Sequence, residues 1–180
     1  MSLVPESDFY VTTAVYNSCS TPQLYNQIEK SGSGFNNVFY TLDETGGRAQ
    51  EYSELENVDY SWGGGAPGSI TDDVFYGEMN GWLEARFTET TTLVFYVDDS
   101  IRAWVGDEAG NWYNGGSPVI EEWGWNSLER FEYAFDTVAG HKYRIRIEYM
   151  DQGLGASCIM GWSSDSIIQE TIPAKLMYAR

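Results

Sequence analysis

The stretch Tyr143-Arg144-Ile145-Arg146-Ile147-Glu148-Tyr149 alternates apolar or aromatic residues with charged ones at a period of two. A strand sends successive side chains to opposite faces, so this pattern predicts a half-buried antiparallel strand rather than a helix. Working outward, residues 82–87 and 91–97 are rich in aromatic and β-branched side chains and flank Thr88-Glu89-Thr90, which reads as a β-hairpin. Residues 101–105 form a further predicted strand ended by Gly106, and residues 74–76, 157–162 and 175–178 read as shorter ones. Loops are expected at 59–68 around Trp62 and Gly63-Gly64-Gly65, at 107–118, and at 121–126. Only residues 22–30 have any helical flavour. Many short strands separated by turn residues predict an all-β, antiparallel β-sandwich, with residues 1–180 as a single domain.

Composition supports this and excludes several function classes. The 180 residues are 42% hydrophobic and 16% aromatic, too apolar for a disordered chain. Ten Lys and Arg stand against 27 Asp and Glu, a formal charge of −17. No basic cluster exists to displace counterions from phosphates, so nucleic acid is excluded as a partner, and an anionic membrane surface would repel the chain. No stretch approaches the ~20 apolar residues of a membrane span, which argues against membrane insertion. The carboxylates suit a hard cation such as Ca²⁺, or serve only to keep the surface soluble. Cys19 and Cys158 lack any CxxC spacing, and their pairing stays open. The single histidine, His141, lies in a predicted turn, Ala139-Gly140-His141-Lys142, and no nucleophile–base pair can be named. The chain therefore reads as a non-enzyme. The first residues show no basic and apolar leader, which points to leaderless secretion, assembly into a particle, or a signal already removed.

Three blocks resemble the PA14 domain family, in that family's order: residues 97–106 around Asp98-Asp99, residues 139–149, and Gly161-Trp162-Ser163-Ser164 followed by Ile172-Pro173. The resemblance is strongest over residues 72–178, with residues 1–71 as N-terminal strands and loops of the same domain. Residues 95–100 are similar to the corresponding segment of fungal flocculins, and residues 34–40 resemble an early flocculin strand more weakly. In the lectin-type members, in flocculins and bacterial adhesins, two aspartates joined by a cis peptide bind one Ca²⁺, which in turn binds sugar hydroxyls. That resemblance implies Asp98, Asp99 and Asp151 as calcium ligands, with the carbonyls of Gly153 and Gly155. Asp151 stands where flocculins have Asn, which adds a carboxylate and leaves less positive charge for the sugar. The yeast proteins' extra cysteine-rich part is missing, which points to a prokaryotic or viral origin.

The residues also bear a reading of their own. Calcium takes six to eight oxygens from carboxylates, carbonyls and waters, and clustered carboxylates without a cation repel one another. The alternative reading of Asp98-Asp99 is a plain turn ending a strand. Trp112, Trp123 and Trp125 are candidate sugar-stacking faces or core residues. Glu121 and Glu122 fail as a glycosidase pair, because neighbours on a strand point to opposite faces. Asp72-Asp73 reads as a solvated turn. The Gly63–Gly65 run lacks the Lys-Ser/Thr of a phosphate loop. The expectation is a calcium-dependent, carbohydrate-binding domain for adhesion to glycan-bearing surfaces, extracellular or on a cell or virion surface. The alternative is a structural subunit of a filament or virion assembly, or another homo-oligomer, in which residues 8–16 would add a strand to a neighbour.

Overall fold

Period-two patterning continues through most of the chain and builds two antiparallel sheets. The structure, a computed structural model, describes residues 32–179. The expected helical segment at 22–30, the strand at 8–16 and Cys19 lie outside the described residues.

The larger sheet contains β1 (Phe35–Leu42), β2 (Arg48–Glu56), β4 (Val74–Glu84), β6 (Ser100–Gly106), β7 (Ile120–Glu122), β9 (Lys142–Gln152) and β12 (Met177–Tyr178). Its order is β2-β1-β4-β9-β6-β7, and β12 continues the β1 lane along β4. The smaller sheet contains β3 (Asp59–Gly63), β5 (Thr90–Asp98), β8 (Glu129–Asp136), β10 (Ala156–Ser163) and β11 (Glu170–Thr171), in the order β11-β10-β5-β8 with β3 also on β10. Among the described residues no helix is long and apolar enough to cross a membrane.

The predicted alternation at 143–149 is the centre of β9. Its odd residues Tyr143, Ile145, Ile147 and Tyr149 are buried, while Arg144, Arg146 and Glu148 face outward. They meet Phe75, Met79 and Leu83 of β4, Ile101, Ala103 and Val105 of β6, and Leu93, Phe95, Cys158, Met160 and Trp162 of the smaller sheet in one core. Cys158 is a free, fully buried thiol, pushed up to about 12 by burial. Gly81 shows how tightly two strands abut. A Cβ there would lie 2.4 Å from the Phe35 ring and 2.6 Å from the Tyr178 carbonyl oxygen, where β1 and β12 share the edge of β4. Gly81→Ala is therefore expected to cost about 1–3 kcal/mol of stability by overpacking, read as a lower urea midpoint at unchanged slope.

Several sequence expectations need correction. Residues 82–97 are not a hairpin: β4 ends at Glu84 in the larger sheet and β5 starts at Thr90 in the smaller one. Residues 85–89 carry the chain across, held by the Ala85 N–H on the His141 carbonyl and the Thr137 N–H on the Glu89 carbonyl. A hairpin and a corner crossing have the same local composition, and only the partner strands separate them. Residues 59–63 are a strand within a segment expected to be a loop, the strand at 120–122 overlaps the loop expected at 121–126, and β2 and β8 were not anticipated. Residues 174–176 form a 3-10 turn before the two-residue β12. His141 does sit beside the turn, half exposed, with Nδ1 3.3 Å from Glu108.

Candidate functional site

Three connections that cross between the sheets meet at one end of the sandwich. The first is the corner from β5 to β6, where Asp99 alone separates the two strands and the Asp98–Asp99 peptide bond is cis. The second joins β9 to β10 through Gly153, Leu154 and Gly155. The third runs from Gly63 at the end of β3 to Val74 at the start of β4. Register brings them together: Asp98 lies opposite Ser157, Gly63 opposite Ala156, and Val74 opposite Gln152.

Asp151 follows the odd-numbered, inward series of β9, so its side chain aims into this end of the sandwich beside Phe75. It is 0% exposed, and neither carboxylate oxygen has a hydrogen-bond partner. Burial and then the neighbouring charge of Asp99, with smaller contributions from Asp73 and Asp98, push it up to about 7, and the nearby Gly153 backbone offsets only part of this. Asp99 is also buried, and its Oδ2 accepts the Gln152 N–H at 2.8 Å. Asp98 is half-buried, and its carboxyl is raised by desolvation and by the Asp99 carboxylate. The buried Tyr149 hydroxyl donates to the Asp98 carbonyl at 2.5 Å, anchoring the corner to β9. Burial holds that phenol above its ordinary range. Behind it lies an aromatic cluster: Phe75 is 5.8 Å from Tyr149 and, edge to face, 5.2 Å from Trp62, ring centre to ring centre.

Backbone geometry at 153–155 suits close approach. Gly153 and Leu154 both have positive φ, 109° and 77°, and a Cβ at Gly155 would stand 3.0 Å from Asp98 Oδ2. The sequence-predicted residues Asp98, Asp99, Asp151, Gly153 and Gly155 thus gather in one place. Asp73 joins them, and the sequence reading missed it. Asp72-Asp73 is the solvated turn expected before β4, and within it the Asp73 Oδ2 accepts the Leu154 N–H at 3.1 Å. No sequence signal separated Asp73 from Asp72, because the β3–β4 crossing alone aims one of the pair at the 153–155 loop.

The donor types gathered here, carboxylate and carbonyl oxygens, are those a hard cation takes. When ionised, the buried Asp151 carboxylate is an incompletely compensated cost that a proton relieves and a Ca²⁺ would relieve as well. The carboxylates are gathered but not closed: among the described residues no group of three or more His, Cys, Asp or Glu side chains is drawn into a common coordination sphere.

The tryptophans divide. Trp123 and Trp125 flank Gly124, whose carbonyl accepts the Ser100 hydroxyl at 2.7 Å, one residue from Asp99. Trp125, next to Gly124, is 67% exposed, and Leu154 of the 153–155 turn is 74% exposed. Trp123 is half-buried with the Arg102 guanidinium 4.4 Å above its ring. Trp112 does not belong here. It bridges Gly106 at the opposite end of β6 under Arg144, about 20 Å from Asp99 at the ~3.3 Å rise of a strand. Glu121 pairs with Arg102 and Glu122 accepts from Asn126, so the two point apart.

A family model described as the PA14 domain matches residues 24–175. The chain belongs to the PA14 domain family. Over 122 residues this PA14 domain is 33% identical to the anti-sigma-I factor RsgI3 of Acetivibrio thermocellus, covering 67% of this chain and 18% of that protein. A solved anti-sigma factor domain-containing protein superposes with a TM-score of 0.69 at 28% identity, over 81% of this chain and 48% of that one. The chain therefore spans under half the length of either relative. The epithelial adhesin 6 A domain of Candida glabrata, solved in complex with Galβ1-3GlcNAc, shares the fold with a TM-score of 0.58 at 11% identity, over 86% of this chain and 90% of that one.

Proposed function

We propose that this PA14 domain binds glycans through a calcium ion held at the Asp98–Asp99 corner. The observation that carries the reading is Asp151, wholly buried, facing that corner, and without a partner for either oxygen. Asp98, Asp99 and Asp151 would hold the ion with the carbonyls of Gly153 and Gly155. A bound Ca²⁺ would supply the positive charge that attracts sugar hydroxyl oxygens. The chain's own part is to fix the oxygens. Tyr149 and Gln152 pin Asp98 and Asp99, and Gly153 and Gly155 present backbone without side-chain bulk. Exposed Trp125 offers an apolar face for a sugar ring beside the ion. No covalent chemistry on the sugar belongs to this reading.

Adhesion and sensing are the two uses such a module would serve. The 33% identity to an anti-sigma-I factor favours sensing, with this domain as the glycan-recognising part of a longer regulator. Weak single-site affinity would suit either use when copies are presented together.

The test is a glycan array probed in millimolar Ca²⁺ and again in excess EDTA, with Asp98→Ala/Asp99→Ala, Trp125→Ala and Trp112→Ala beside the parent chain. Binding is expected to vanish with EDTA and with the double variant, to fall at least tenfold with Trp125→Ala, and to survive Trp112→Ala. A folded, multivalent parent chain that binds nothing in calcium would overturn the glycan reading.

A further inference from the structure

Asp73 stands outside the ligand set proposed above yet touches it from another element. It precedes β4, while the loop it holds joins β9 to β10. Its Oδ2 accepts the Leu154 N–H at 3.1 Å and lies 3.6 Å from where a Cβ on Gly153 would sit. Leu154 needs such a hold. It is a non-glycine residue at φ 77°, a region that L side chains enter at a cost, and its own side chain is mostly exposed. Core packing therefore does not fix this turn; a hydrogen bond to a carboxylate does.

We infer that Asp73 is the positioning residue of the calcium loop: by holding the Leu154 N–H it fixes the left-handed turn that aims the 153 and 155 carbonyls at Asp98, Asp99 and Asp151. The inference rests on the calcium reading. A ligand site at this spot is indicated independently by Asp151, buried, unpartnered and aimed into the same end of the sandwich. Asp73 also adds its charge to those acting on Asp151, so it serves the site twice, through the hydrogen bond and through the field. Groups that orient metal-binding elements from behind typically matter by about 10–100-fold in affinity.

Titration of the full chain with Ca²⁺ alone, followed by calorimetry and by Tb³⁺ luminescence, tests this. Asp73→Ala loses both hold and charge and is expected to weaken Ca²⁺ at least tenfold. Asp73→Asn keeps an acceptor for the Leu154 N–H and is expected to recover most of that loss. Because Asp73 is exposed, both variants should melt within a few degrees of the parent chain in EDTA, separating a positioning role from general stability. Parent-level Ca²⁺ affinity in Asp73→Ala overturns the inference while leaving the calcium reading intact. Equal loss in Asn and Ala overturns the hydrogen-bond role in favour of charge alone. A parent chain that takes up no Ca²⁺ removes the calcium reading itself, and this inference with it.

Discussion

In EDTA at pH 8, Asp151→Asn is expected to melt about 5–10 °C above the parent chain while losing its response to calcium. The reason is the environment of one carboxyl. In the unfolded chain Asp151 titrates near its ordinary 3.8, and in the fold burial and then Asp99 push it up to about 7. Between those values the folded chain holds a proton that the unfolded chain has released, so stability falls as pH rises through this window. Below about pH 4 both states are protonated and the group costs nothing. Above about pH 7 both are ionised and the full cost remains. At about 1.4 kcal/mol per pH unit, that cost is on the order of 4 kcal/mol. Asp98 is shifted in the same direction and adds to the trend. The neutral amide removes the buried charge, and part of the gain is returned because its own polar atoms are short of partners. A net gain of about 2–4 kcal/mol corresponds to the stated shift for a domain of this size. Thermal melts of both proteins between pH 5 and 8 check the argument. The parent should lose stability as pH rises and the variant should be flatter. Equal slopes would show that Asp151 is not the group responsible.

How much of this was legible in the sequence depends on which interactions decide each element. β9 announced itself because one of its faces is core and the other solvent, so Tyr143 to Tyr149 alternate without exception. β6 and β10 were legible for a similar reason, as short apolar runs bounded by glycine or serine. The edge strands β2 and β8 were not, since their residues are largely exposed and charged and only pairing with β1 and β5 makes them strands. The supposed 82–97 hairpin failed because local sequence carries turn chemistry but not which sheet the next strand joins. At the site, Asp98, Asp99 and Asp151 came from a family resemblance, and the structure brings them together. Asp73 was invisible because its role is set by a hydrogen bond across 81 residues of sequence. Trp112 falls away from the site because β6 carries the chain to the far end of the sheet between Asp99 and Trp112, which only the strand's path reveals.

Calcium should offset most of the pH slope of the parent chain. A ligand that binds only the folded state adds about 2.7 kcal/mol at a hundredfold excess over its Kd, or roughly 5–10 °C of melting temperature here. That gain requires ionised ligands, so protons compete with the ion at Asp151 most strongly below about pH 7. The calcium-induced rise is therefore expected to be largest at pH 8 and nearly absent at pH 5, while the EDTA curve runs the other way. Magnesium at the same concentration should give a smaller rise. It demands near-octahedral geometry at ~2.0–2.1 Å, which two buried aspartates and a glycine-rich loop are poorly placed to supply. Two melting curves that meet at pH 5 and diverge toward pH 8 would tie the ion to these carboxylates more firmly than affinity alone, because general surface binding to a chain of charge −17 would lift both ends of the range together. Parallel curves in calcium and EDTA would remove the ion from this corner. Asp98-Asp99 would then be a tight crossing between sheets and nothing more, and Asp151 a buried acid that the fold tolerates by keeping it protonated.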